Sequence, residues 1–444
     1  MRIEIAGAGA GKTTSLAEKI INRYENQKDK NIYCISFTNS SVSTIQEKLE
    51  KYFHGALPSS IKISTIHSFL FSEIVDPYYF LLYQKQYKKI FNIDLPSDPR
   101  YRNMTLSNLD KNDILHVEKI SERAKNVICG KQADKKAIKQ IREIIVSSLS
   151  SYIDAIFVDE AQDIDQHFKD VLIKLSETEI SIELIGDPKQ DLKGSGNLRK
   201  LIDLYSEDVR YIENSHRCPQ IHLSLSNKYI PIEESQKSLS SEEGTINIYF
   251  ESEYNKLDSL ISSYDICYIY QKHGSFDTKT VKSEGQLFEE LKLILKGRLG
   301  VKELDGQQLV KVSKLSVAML SRAMHQDQTP EDIVKFYFKY GTIATNIYHR
   351  LVNAIKSEIK NSQTDKIVVQ SIDKVKGLGK NKCLFIVTPA MVPYLLNNVS
   401  QPSIKMSSYL YVALTRSKKQ LDFLFTKEVE DKYSKEQLRN IFNE

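Results

Sequence analysis

The stretch Glu4–Thr14, EIAGAGAGKTT, limits the fold of this chain more than any other segment. Ile3 and Ile5 read as a short strand, and Ser15 to Ile20 as the start of a helix. Between them lies a turn of Ala6, Gly7, Ala8, Gly9, Ala10, Gly11, Lys12, Thr13 and Thr14. Glycines let a backbone wrap closely around a polyphosphate with its N–H groups pointing inward. The following helix N-terminus adds partial positive charge at the same place. Lys12 is placed to reach the β- and γ-phosphates of ATP, and the Thr13 hydroxyl to help hold Mg2+. Ala6 stands where the usual pattern has glycine, and leaves nearly the same clearance.

A strand, loop and helix of this kind belong to an α/β fold, and the rest of the chain reads accordingly. Short β-branched strand candidates at 2–6, 32–37, 61–64, 153–158, 182–186, 209–213, 246–250, 265–270, 367–372, 383–388 and 420–425 alternate with amphipathic helices. Two stretches, about 70–150 and 284–362, are polar and helical, as insertions would be. In the second, Thr329, Pro330 and Asp332 form a good helix start. At 444 residues the chain has length for more than one core. No run of eighteen apolar residues is present, so no membrane span is expected. The five cysteines are scattered without a CxxC pair, which argues for a reducing, cytoplasmic location and against a zinc site or a disulfide framework. The formal charge of +5 neither demands nor excludes nucleic acid.

A phosphate loop needs a carboxylate at a neighbouring strand end. YIDAIFVDEAQD, 152–163, supplies two: Asp159 as the Mg2+-side candidate and Glu160 as the candidate catalytic base. IELIGDPKQ, 182–190, adds Asp187 and Gln190, and the glutamine is a candidate to sense the γ-phosphate or the attacking water.

Taken in order, AGAGAGKTT, ISFTNSS, STIHSF, VDEAQD, IGDPKQ, ENSHRCP, QSIDKVKGL and YLYVALTRSKKQL resemble the motifs of superfamily 1A helicases, the UvrD/Rep/PcrA group. The resemblance covers nearly the whole chain. It implies two RecA-like P-loop domains in tandem, 1–212 and 213–444, each with a mainly helical insertion and with ATP between them. It implies ATP-driven 3′→5′ movement on single-stranded DNA. Lys12, Thr13, Asp159, Glu160 and Gln190 match the ATP-side positions, Gly377 falls at a nucleotide-side glycine, and Arg217 and Arg416 match arginines that reach the γ-phosphate from the second domain. Phe37, Thr38, Asn39 and His67 match positions that touch the DNA strand.

The chain departs from the pattern in several places. His216 stands where the family has a tyrosine, Asp373 where it has histidine, and Gly379 where it has a ribose-binding glutamate. Only five residues precede Ala6, so the adenine-reading glutamine segment is expected to be missing. GDPKQDLKGSG lacks the aromatic residues that usually follow the glutamine, a platform where stacking is worth roughly 1–3 kcal/mol per base. The second insertion reads as a reduced duplex-engaging subdomain. Compact members of this group serve in bacterial antiviral defence, as the helicase-like B component of Gabija does beside a nuclease partner.

Two functions therefore stay open: a DNA motor, or an ATP-driven switch that senses DNA ends and controls a partner nuclease. A P-loop kinase is disfavoured because it leaves the second half unused. Residues 119–142 hold eight Lys/Arg against two Asp/Glu, with Lys135, Lys139 and Arg142 on one helical face. This reads as a solvated face more readily than as a phosphate-binding stripe. Tyr79, Tyr83 and Tyr87 at helical spacing read as core.

Overall fold

The computed structural model describes residues 1–27, 29–93, 95, 98–278, 329–337, 348, 350–356 and 367–442. It is a mixed α/β structure whose two large sheets are each wholly parallel. The first contains β1 (Arg2–Ala6), β2 (Asn31–Ser36) and β3 (Ile61–Thr65). Two short strands, β4 (Lys89–Phe91) and β5 (Ile114–His116), pair with each other apart from it. The first sheet is completed by β6 (Ile153–Val158), β7 (Ser181–Gly186) and β8 (Val209–Ile212), in the order β3-β2-β6-β7-β1-β8.

The chain then passes through a small pair, β9 (Asn214–Ser215) and β10 (Lys237–Ser238). The second large sheet is built from β11 (Ile248–Phe250), β12 (Ile266–Ile269), β13 (Phe276–Thr278), β14 (Ile367–Ser371), β15 (Lys380–Val387) and β16 (Ser417–Phe425). Its order is β11-β16-β15-β12-β14-β13.

Both sheets are covered on both faces, and the two-residue period of a strand explains how. Tyr33, Ile35, Ile156 and Val158 enter one core, while Ile32, Cys34, Ala155 and Phe157 enter the other. In the second sheet Phe385, Val387, Phe423 and Phe425 face one core, and Leu384, Ile386 and Leu424 face the opposite one. Every strand expected from the sequence is present with small shifts at its ends. The short strands β4, β5, β9, β10 and β13 were not anticipated; three residues or fewer carry too little periodicity to be read.

Most of the insertion expected at 284–362 lies outside the described residues. Within it the Thr329 start is formed: the Asp332 N–H donates to Thr329 Oγ1 at 3.2 Å. In the first insertion the tyrosines are core, with Tyr79 and Tyr87 each 5% exposed and the Tyr79–Tyr83 rings 4.8 Å apart. The basic face is broken. Arg142 is buried, donates to Val127 O at 3.0 Å and pairs with Asp134. Arg142 also lines a cavity of about 740 Å3, and two lysines there, Lys30 and Lys174, have carboxylate partners.

Candidate functional site

The phosphate loop leaves the C-terminal end of β1, and the helix Lys12–Asn26 starts immediately after it. Gly9 and Gly11 adopt φ of 75° and 79°, a left-handed geometry that glycine enters without penalty. At Gly9 a side chain is also excluded by space, since a Cβ there would lie 2.4 Å from Arg217 Cβ. The first N–H groups of a helix have no acceptor within it, so the loop's end presents donors outward. Gly7 and Ala8 are buried, whereas Gly11 and Thr14 are exposed and Lys12 and Thr13 half-buried. The front of the loop is covered and its helix end is open.

Lys12 bends back over the loop, with Nζ donating to Ala6 O at 3.1 Å and to Gly7 O at 3.4 Å. Its charge reaches both strand-end carboxylates, opposing the rise of the Asp159 pKa and, after Lys189, helping to hold that of Asp187 below its ordinary value. Asp159 ends β6 and is buried, with its N–H donating to Ile35 O and Ser36 Oγ donating to its carboxylate at 3.3 Å. Burial, then the neighbouring Glu160, pushes the Asp159 carboxyl up to about 6. Glu160 sits at φ 53°, a left-handed conformation that costs a non-glycine residue of order 1–3 kcal/mol. Gln162 Nε2 donates to its carboxylate.

These groups fit a divalent cation held jointly with phosphates. Among the described residues no three His, Cys, Asp or Glu side chains form a metal cluster of their own. Mg2+ is held in such sites by one or two carboxylates together with phosphate oxygens, and Asp159 with the Thr13 hydroxyl supplies what that needs. The raised Asp159 carboxyl leads to a pH prediction. Its folded pKa of about 6 exceeds the ordinary 3.8, so the neutral form is favoured by folding. The associated stability is full below pH 4 and is lost as pH rises through 6. Asp159→Asn should therefore raise the thermal midpoint of the nucleotide-free protein at pH 8 and change it little at pH 4, checked by melts at both values.

Gln190 does not point freely toward a phosphate: its Nε2 donates to Asp187 at 2.9 Å. Asp187 is fully buried and also pairs with Lys189 at 3.0 Å, and Lys189 with Glu234 at 3.3 Å. The glutamine is thus held by Asp187 at the end of β7.

From the second half come two arginines. Arg217 lies beside Gly9 and donates to Gly377 O at 3.2 Å and Leu378 O at 3.4 Å. Gly377 takes φ 80° and presents that carbonyl, while Gly379 leaves the space that Arg217 Nε fills. Arg416 is 1% exposed and donates to Val412 O at 2.8 Å and Leu378 O at 3.1 Å. Desolvation and then the Arg217 charge push its guanidinium down to about 10. Among the described residues neither arginine, nor Lys12, forms an ion pair with a carboxylate. Of the three only Arg416 is fully buried, and a buried charge without a charged partner costs several kcal/mol.

The positions expected to touch DNA gather on the same end of the first sheet. Thr38 caps the helix Asn39–Tyr52 by accepting from the Ser41 N–H at 3.1 Å, and Asn39 is exposed. Lys193 Nζ lies 5.4 Å from the Phe37 ring centroid, and the field of Lys193 reaches His67, whose pKa is lowered mainly by desolvation. After Gln190, Asp191 accepts from the N–H groups of Gly194 and Gly196 at 2.9 and 2.8 Å, and residues 191–196 include no aromatic.

A family model described as an AAA domain matches residues 1–195, the segment that carries the loop and the two acidic strand ends. The match covers less than half of the chain and supports a P-loop nucleotide-binding domain over residues 1–195. No curated protein matches it. Several site residues escaped the sequence reading: Tyr411, Gln236 and Ser215, which bind Ala8, and Lys48, whose Nζ donates to Thr14 Oγ1 at 2.5 Å. Only Tyr411 left a signal, since a tyrosine inside an apolar helix must find a partner for its hydroxyl.

Proposed function

We propose that the chain is a Mg2+-dependent ATPase of the superfamily 1A helicase type, built as two RecA-like units in tandem that move single-stranded DNA between them. The observation that carries this reading is the placement of Arg217, from the second half, against Gly9 of the loop, with Arg416 sharing the Leu378 carbonyl with it and neither having a carboxylate partner among the described residues. Bound Mg2+ would neutralise phosphate charge at Asp159 and Thr13. Lys12 swings from its own loop's carbonyls to the β- and γ-phosphates. Glu160 orients and deprotonates the attacking water, and its strained backbone fixes the direction of that attack. The two guanidinium groups stabilise charge building on the transferred phosphoryl.

Opening and closing of this cleft would carry Phe37, Thr38, Asn39 and His67 along a strand. Strand displacement on a duplex with a 3′ single-stranded tail, by the chain alone and with ATP, tests the proposal. Displacement supports the motor, and its failure under conditions where ATP is hydrolysed contradicts it. The missing aromatic platform after Gln190 favours a second reading, an ATP-driven switch on a partner nuclease in antiviral defence. In that reading hydrolysis persists, but displacement does not occur.

A further inference from the structure

The front of the phosphate loop is held by the second half of the chain at both polar atoms of one residue. Ala8 is 1% exposed; its N–H donates to Tyr411 Oη at 3.0 Å, and its carbonyl accepts from Ser215 Oγ at 2.8 Å and Gln236 Nε2 at 3.3 Å. Tyr411 Oη in turn donates to Gln236 Oε1 at 2.7 Å, closing a ring of hydrogen bonds around Ala8. The fit is tight. A Cβ on Gly7 would lie 2.2 Å from Gln236 Cδ.

Tyr411 belongs to the helix Ile404–Leu414, whose last turn leads directly into Arg416. That turn is tied together. Thr415 Oγ1 donates to Tyr411 O at 2.9 Å, Arg416 Nη2 donates to Thr415 Oγ1 at 2.9 Å, and Arg416 Nε donates to Val412 O at 2.8 Å. The helix end from Tyr411 to Arg416 therefore behaves as one rigid piece, and its only polar contact with the loop is the tyrosine hydroxyl among the described residues. Tyr411 is buried, and Lys189 Nζ lies 5.1 Å from its ring centroid, so the ring sits beside both the loop and the acidic end of β7.

We infer that Tyr411 is a positioning residue: by binding the Ala8 N–H it sets the register of Arg416 against the phosphate loop, so that the arginine reaches a nucleotide only when the hydroxyl is seated. This deepens the ATPase reading and rests on it. Tyr411 touches no phosphate itself, because Ala8 lies on the covered front of the loop and the open donors lie beyond Gly9. Its effect must pass through Arg416.

The test is a double-mutant cycle on ATP turnover with Tyr411→Phe, Arg416→Ala and the double variant. Phenylalanine fills the same slot, so a thermal melt reports that the fold persists. Tyr411→Phe should lower kcat roughly tenfold with KM changed by less than about twofold, the pattern of an interaction realised in the transition state. On the Arg416→Ala background the same change should cost nothing further. Losses that multiply, or a change confined to KM, would overturn the inference. Should Tyr411→Phe not fold, Gln236→Met, which strips the hydroxyl of its acceptor while keeping the tyrosine, enters the same cycle. If the unaltered chain hydrolyses no ATP, the ATPase reading itself is wrong and the inference goes with it. If it hydrolyses ATP and the cycle is additive, only the inference is wrong.

Discussion

Replacing Arg416 by alanine is expected to lower ATP turnover by roughly 10³-fold or more, the scale of arginine fingers, while nucleotide still binds. Arg416 is a fully buried cation whose partners are carbonyls and a hydroxyl, none of them charged. Its desolvation is already costly, as the lowered guanidinium pKa records, and a phosphoryl group building negative charge is what would offset it. The side chain also ties the turn around Val375 and Leu378 to the helix end, so some stability is lost with it. Turnover and a thermal melt should be measured together, with Arg416→Lys beside them. Lysine keeps the charge but not the planar fork, and should recover only part of the rate. A loss below tenfold in Arg416→Ala would remove the residue from the site.

Glu160→Gln is expected to retain ATP binding and to reduce turnover by about 10²–10⁴-fold, the range of a positioned general base. The substitution keeps the shape and removes the proton acceptor. It also removes the like charge beside Asp159, whose carboxyl Glu160 helps to raise. Nucleotide affinity in the presence of Mg2+ should therefore hold while turnover falls. Binding by a fluorescent ATP analogue, set against the steady-state rate, separates the two effects. Normal turnover in this variant would mean that another group activates the water.

Local chemistry made much of this site legible. The loop announces itself because its glycines, lysine and threonines act through neighbours in the chain, and Asp159 and Glu160 because they stand side by side where the apolar run AIFV ends. The alternating apolar residues of β2, β6 and β15 define two-sided burial, and hence a parallel sheet, before any contact is known. What stayed hidden depends on distance along the chain. Tyr411 meets Ala8 across 403 positions, and nothing near either residue encodes the other. Arg142 reads as part of a basic face until Asp134 and the carbonyl of Val127 draw it inward. Gln190 looks like a phosphate sensor by position, yet in the nucleotide-free fold its amide is held by Asp187. The left-handed backbone of Glu160 is equally unreadable, because strain is imposed by the surroundings of a residue and not by its type.

The account stands or falls on whether this cleft hydrolyses ATP in response to nucleic acid. The most direct measurement is the ATPase rate with and without single-stranded DNA, using Lys12→Ala as the blank. The account predicts hydrolysis that vanishes in Lys12→Ala and rises strongly when the DNA is added. A rate indifferent to DNA, with the Lys12→Ala blank still silent, would contradict the motor and leave an ATP-driven switch.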